Sequence, residues 1–141
     1  MSKPVPADVD PEGFDANLEE CAAPLRELVA YLRTAAQHAG PAVTSRRYRH
    51  ATPNSGWGVT YYVDGHRFCE LHPKREAGHL WGFIPAADPA ALTADGLRPS
   101  EQSDWFQVSS MREAVRFVRW ILWAHDERQP TPRPSNSVAR T

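Results

Sequence analysis

The chain has 141 residues, with 16 Lys and Arg against 17 Asp and Glu and a formal net charge of -1. That length fits one domain around a single hydrophobic core. The charge balance excludes a generally basic protein, so any nucleic-acid contact would have to come from a local patch.

Only Lys3 and Lys74 are lysines; the preference for arginine, with abundant alanine and proline, fits a GC-rich bacterial genome. Cys21 and Cys69 are far apart and form no CxxC pair, which suits free thiols in a cytoplasmic protein. The opening "MSKPVPADVDPEGF" lacks the basic-then-apolar order of a signal peptide. No apolar run approaches the length that crosses a bilayer, so no membrane partner is expected.

In chain order, residues 1–13 carry three prolines and several acids and read as a flexible arm. Residues 14–127 form the ordered domain, and 128–141, "RQPTPRPSNSVART" in the main, read as a disordered tail. Residues 15–22 suit a short turn or helix. Leu25, Leu28, Val29 and Leu32 then follow the i, i+3, i+4, i+7 spacing of an apolar helical stripe, with Pro24 in the first turn and "GP" at 40–41 ending it. Strand-like runs follow: "WGVTYYV", "HRFCELH", "HLWGFI" and "WFQV". "DG" at 64–65 is a two-residue hairpin turn between the first two. "DPAALTADG", residues 88–96, predicts a short helix capped by Asp and opened by Pro. Ser110 and Glu113 make the S-x-x-E pattern ahead of a long helix, "MREAVRFVRWILWAHDE". The order predicts an α+β fold: an antiparallel sheet of about four strands, a three-strand meander plus one, with N-terminal and long C-terminal helices packed on it.

The meander concentrates chemistry. Pairing outward from Asp64 and Gly65 sets Tyr61 opposite Phe68, Val59 opposite Glu70 and Trp57 opposite His72. The next turn sets His72 opposite His79 and Glu70 opposite Trp81. Strand alternation then collects Trp57, Glu70, His72, His79 and Trp81 on one face as a candidate ligand-binding cleft, with Cys69 on the other. A slip of one residue would reassign every member. Two imidazoles and a carboxylate could hold iron or zinc, or supply a general base and its orienting partner. The plainer reading is a hydrogen-bonded polar patch. No activated-nucleophile motif and no phosphate-cradling glycine loop accompanies it. No catalytic residue, metal or cofactor is assigned.

Two further surfaces stand out. On the last helix, Ala114, Phe117, Val118, Ile121 and Leu122 make the expected core stripe, with Arg112, Arg116, Arg119 and Trp123 roughly opposite. An exposed Trp among arginines asks for cover: the C-terminal tail folded back, a homodimer through this helix, or a partner. His125, near the apolar stripe, is expected to be a helix-end histidine with its own hydrogen-bond partner. In "TSRRYRHATPNSGWG", read as an Arg-rich loop just before the sheet, Arg46, Arg47 and Arg49 interleave with Tyr48 and form a candidate nucleic-acid or anion surface.

The stretches "YYVDGHRFCELHPKREAGHLWGFI", "DPAALTADGL" and "DWFQVSSMREAVRFVRWILWAHDE" resemble the small bacterial α/β domains grouped around the YdhG-like and MmcQ/YjbR-like families, including luciferase-associated domains. The resemblance covers roughly residues 42–127 and describes a fold more than a site. Members of the YjbR-like group are often described as DNA-binding, which makes nucleic acid an implied partner. The resemblance implies no shared catalytic set. "WAHDE" stands where the pattern usually has a tyrosine, and His72 and His79 belong to none of its motifs.

The leading expectation is a cytoplasmic, non-enzymatic binding or interaction domain whose partner is a small molecule or protein. The alternatives are a metal-dependent or acid–base enzyme built on Glu70, His72 and His79, and nucleic-acid binding through Arg46, Arg47 and Arg49.

Overall fold

The computed structural model describes residues 7–49, 56–101 and 104–128. The elements are α1 (Pro11–Glu19), α2 (Ala23–Gln37), β1 (Val43–Arg49), β2 (Trp57–Val63), β3 (His66–Lys74), β4 (His79–Phe83), α3 (Pro89–Ala94), β5 (Arg98–Pro99), β6 (Phe106–Val108) and α4 (Met111–Arg128). The strands form one antiparallel sheet in the order β1-β2-β3-β4-β6-β5. The fold is α+β, with six strands among the described residues where the sequence suggested about four. The additions are the two edge strands. β1 carries "VTSRRYR", the stretch expected to be an Arg-rich loop. An edge strand pairs on one side only, so its charged side chains keep access to water and no apolar alternation marks it. β5 is two residues long.

The helices begin and end where local chemistry directs. α1 starts inside the segment expected to be a loose arm, because Pro11 suits a first turn and the Asp10 carboxylate accepts from Gly13 N at 3.0 Å. Val9 N also donates to the Arg47 carbonyl of β1 at 2.8 Å, which ties the entry to the sheet edge. Residues 1–6 and 129–141 of the expected arm and tail lie outside the described residues; Arg128 closes α4. Asp88 caps α3 by accepting from Ala90 N, and Ser110 Oγ caps α4 by accepting from Glu113 N at 3.2 Å. Among the described residues no helix is long and apolar enough to cross a membrane.

Asp64 (φ 53°) and Gly65 (φ 77°) are both left-handed, the geometry of the two-residue turn that "DG" predicts. Beyond the turn the expected register fails. Val63 pairs with His66 and Tyr62 with Arg67, but Tyr61 pairs with Cys69, Thr60 with Glu70 and Val59 with Leu71. Phe68 is therefore an extra residue, a β-bulge. From that point β3 is shifted by one against β2, and Glu70 lies across from Thr60 instead of Val59. Between β3 and β4 the shift is two: Glu70 pairs with Phe83, His72 with Trp81 and Lys74 with His79. A two-residue shift preserves faces; a one-residue shift exchanges them.

One face of the sheet therefore joins Val59, Tyr61 and Val63 to Phe68, Cys69, Leu71, Leu80, Phe106 and Val108, all buried. α2 packs here through Leu25, Leu28, Val29 and Leu32 and α4 through Ala114, Phe117 and Ile121, while Phe14 of α1 and Leu92 of α3 join the same core. Gly82 in β4 makes room for α4: a Cβ there would run into the Phe117 ring. This seating, together with His125 edge-on to Phe68 at 5.4 Å, turns the buried stripe of α4 toward Ala124 and His125. Leu122, expected in the stripe, is left 43% exposed.

Candidate functional site

On the opposite face, the bulge brings Arg67 and Glu70 to the same side although they are three residues apart. Arg67 NH1 donates to Glu70 Oε1 at 3.1 Å. Glu70 Oε2 accepts from Thr60 Oγ1 at 2.8 Å and from the Tyr48 hydroxyl at 2.7 Å. The same hydroxyl lies 2.5 Å from His72 Nε2. With the single phenolic proton on the Glu70 side, His72 supplies the Nε2–H of a relay running His72 to Tyr48 to Glu70. Burial, then the charge and hydrogen bond of Glu70, push the Tyr48 phenol far above its ordinary value and keep it protonated. Trp105 lies over His72 with ring centroids 4.1 Å apart and stacks on Phe83 at 5.1 Å, and Arg67 covers Phe83 in turn. Gly58 fits beneath this layer because a Cβ would come within 2.6 Å of His72 Cδ2. Glu70 and His72 are each only 7% exposed. A carboxylate with this many donors is held in place without needing a ligand.

The open site is a cleft of about 600 Å³ at the end of the sheet where β1 runs out, β2 begins and the β3–β4 turn lies. Trp57 and Trp81 line it with Arg49, Lys74, Arg75 and His79, and Glu76 is the one carboxylate among the lining residues. The Arg49 guanidinium sits over the Trp57 ring at 5.6 Å from its centroid. α1 holds the other edge of that indole, since a Cβ on Gly13 would come within 2.5 Å of Trp57 Cη2. His79 meets Trp81 edge to face, with centroids 5.2 Å apart. Burial and then the positive charge of Arg98 lower the His79 imidazole below its ordinary value, so it is neutral at pH 7. Burial likewise lowers the Lys74 ammonium. Arg75 pairs with Glu20 and, more loosely, with Glu76 at 3.8 Å. Among the described residues no carboxylate pairs with Arg49. Two indole surfaces and a cluster of cations in one concavity can take a flat ring bearing a negative group.

The expected five-residue cleft thus separates into two environments. Trp57, His79 and Trp81 line the cleft, whereas Glu70 and His72 belong to the buried layer. His72 faces Trp81 across the strands, and His79 lies two pairs further along, opposite Lys74. Among the described residues no group of three His, Cys, Asp or Glu side chains is placed to hold a metal. Cys69 is buried on the helix face, and burial raises its thiol well above the ordinary value.

The three arginines of β1 divide as well. Arg47 points toward the helix side and pairs with Asp8 at 3.0 Å and Asp15 at 3.2 Å. Arg46 lies over the Tyr48 ring and donates to the Ala7 carbonyl. Arg49 alone of the three reaches the cleft. On α4, Arg112 is exposed, Arg116 lies against Gly96, and Arg119 is 3.7 Å from Asp95. His125 is buried, with Nδ1 3.1 Å from Asp126 Oδ1.

Sequence reasoning missed Thr60, Trp105 and the structural role of Tyr48 in the buried layer, and Lys74 and Arg75 at the cleft. Reading β1 as a strand sets Tyr48 and Thr60 on one face, but only the bulge at Phe68 turns Glu70 to that face, and no local signal marks the bulge. Trp105 precedes a three-residue strand whose partner could not be chosen from pattern alone. Comparison with models of protein families, with curated proteins and with solved structures finds no match for this chain.

Proposed function

We propose that this domain binds an anionic small molecule carrying a flat ring, of which a nucleotide is the simplest example. The observation that supports the reading is the cleft at the sheet end, where Trp57 and Trp81 present aromatic surface beside Arg49, Lys74 and Arg75. Its volume of about 600 Å³ lies within the range that small ligands occupy. The ring would stack on an indole, and the anion would take the guanidinium of Arg49, which carries no carboxylate among the described residues. Neutral His79 would offer a hydrogen bond without adding charge. Glu70, His72 and Tyr48 are not among the lining residues of the cleft and take no part in recognition.

Adenosine monophosphate, titrated while tryptophan fluorescence is followed, tests the proposal. Saturable quenching is expected, weakened about tenfold by Trp81→Ala through lost stacking. Arg49→Gln should weaken it severalfold, and adenosine without its phosphate should bind less tightly, as expected for a surface-exposed ionic contact of at most about 1 kcal/mol. Absence of saturable binding by any purine or pyrimidine monophosphate would refute the proposal, as would binding indifferent to both substitutions. Single-stranded nucleic acid offers the same chemistry in repeated form, and the Arg49–Trp57 stack is the observation that favours it. It would be recognised by a binding constant that falls steeply with salt and rises with oligonucleotide length.

A further inference from the structure

A second concavity lies between α3 and α4 and shares no lining residue with the cleft. It is a shallow groove of about 700 Å³ lined by Asp88, Asp95, Arg119, Trp120 and Trp123 among others. The two indoles meet edge to face at 5.6 Å, so they present two differently oriented aromatic walls. Trp120 Nε1 donates to Asp95 Oδ2 at 3.0 Å, which fixes its ring. The other Asp95 oxygen is 3.7 Å from Arg119, a loose pair that leaves room for a second guanidinium. Asp88 is exposed and uses one oxygen to cap α3. Trp123 is 39% exposed at the rim. The groove therefore combines apolar walls with a surplus of carboxylate over guanidinium.

Residues 129–141, which follow α4, have complementary composition. Pro130, Pro132 and Pro134 alternate there, Arg133 and Arg140 are the charged residues, and Asp and Glu are absent. Proline at alternate positions favours the extended polyproline II form, which docks between aromatic side chains with little conformational entropy to lose. The reach is sufficient. From Arg128 back to Trp123 is roughly 7.5 Å along the helix at its rise per residue. The five steps from Arg128 to Arg133 span about 15 Å in the extended form.

We propose that residues 130–134 of this chain fold back into the α3–α4 groove, with the prolines against Trp120 and Trp123 and Arg133 directed at Asp88 and Asp95. The attachment is intramolecular, so weak contacts suffice. A short tether gives an effective concentration on the order of millimolar, and a dissociation constant of that size already fills the groove about half the time. Occupation covers the exposed face of Trp123.

The test uses the full chain with a nitroxide on Ser137→Cys. Cys21 and Cys69 are buried, so the label goes to the new thiol. Relaxation broadening is read at the indole N–H signals of the five tryptophans. Trp120 and Trp123 should broaden strongly while Trp57 and Trp81 stay sharp. Arg133→Glu should weaken docking roughly fivefold, the scale of a surface ion pair turned from attractive to repulsive. Trp123→Ala should reduce the broadening at Trp120. Uniform broadening at all five signals would overturn the proposal, as would a pattern unchanged by Arg133→Glu. Broadening of unlabelled, isotope-enriched protein by labelled protein would also overturn it, by assigning the groove to the tail of a second copy.

Discussion

Tyr48→Phe deletes one hydroxyl from the buried layer and leaves its shape intact. The hydroxyl donates to a carboxylate at 2.7 Å in a site where Glu70 is almost without solvent. Hydrogen bonds to charged groups are worth about 1.5–3 kcal/mol, and Glu70 keeps Thr60 and Arg67, so a loss of about 2 kcal/mol is expected. Glu70→Gln is the companion change. All three donors around Glu70 point inward at its oxygens, so an amide nitrogen in either position faces a donor. Arg67 is half exposed and can turn to water, which limits the cost to about 3 kcal/mol. In the double variant the phenol is absent from a site that no longer has a carboxylate, so the total should be nearer 3 than 5 kcal/mol. The coupling energy is then about 1.5–2 kcal/mol. Urea unfolding followed by circular dichroism measures all four corners, with equal m-values as the check that only stability has changed. Additivity to within about 0.5 kcal/mol would refute the relay as a coupled unit. A Tyr48→Phe variant as stable as the parent would refute it outright.

Two more outcomes follow from the packing and the charges. Gly82→Ala should cost about 1–3 kcal/mol by overpacking against Phe117, and pairing it with Phe117→Leu should recover part of that loss, measured by the same unfolding curves. Burial alone would raise the Glu113 carboxyl, but the Arg98 guanidinium and the Ser109 N–H and hydroxyl outweigh it and hold the group below its ordinary value. A depressed folded value means that its stabilisation is present above the unfolded value near 4.5 and is lost as pH falls through the folded one. Glu113→Gln should therefore lower stability at neutral pH and flatten the acid limb in a pH series of thermal melts; an unchanged acid limb would contradict the assignment.

The helices were legible in the sequence because their signals are local. Pro24 and the stripe at Leu25, Leu28, Val29 and Leu32, Asp88 before Pro89, and Ser110 with Glu113 each specify a start or a buried face within one or two turns. The "DG" turn was legible for the same reason, since few residues accept two successive left-handed conformations. The sheet edges were not. β1 carries three arginines because an edge strand can, and nothing in "VTSRRYR" distinguishes it from a solvated loop until its pairing with β2 is known.

The candidate site turned on a single residue. Phe68 looks like an ordinary inward member of an alternating strand, yet it is the inserted residue of a bulge. Counted as a normal pair, it sets Glu70 and His72 beside Trp57 and suggests a metal or acid–base centre in an aromatic cleft. Counted as a bulge, it sets Phe68 and Cys69 together toward the helices and brings Arg67 and Glu70 together on the far side. The carboxylate then meets its own guanidinium, a threonine and a tyrosine, and its hydrogen-bonding capacity is used within the fold. That leaves the indoles and cations at the sheet end as the open chemistry. The bulge thereby separates the groups that hold the sheet together from the indoles and cations that line the open cleft.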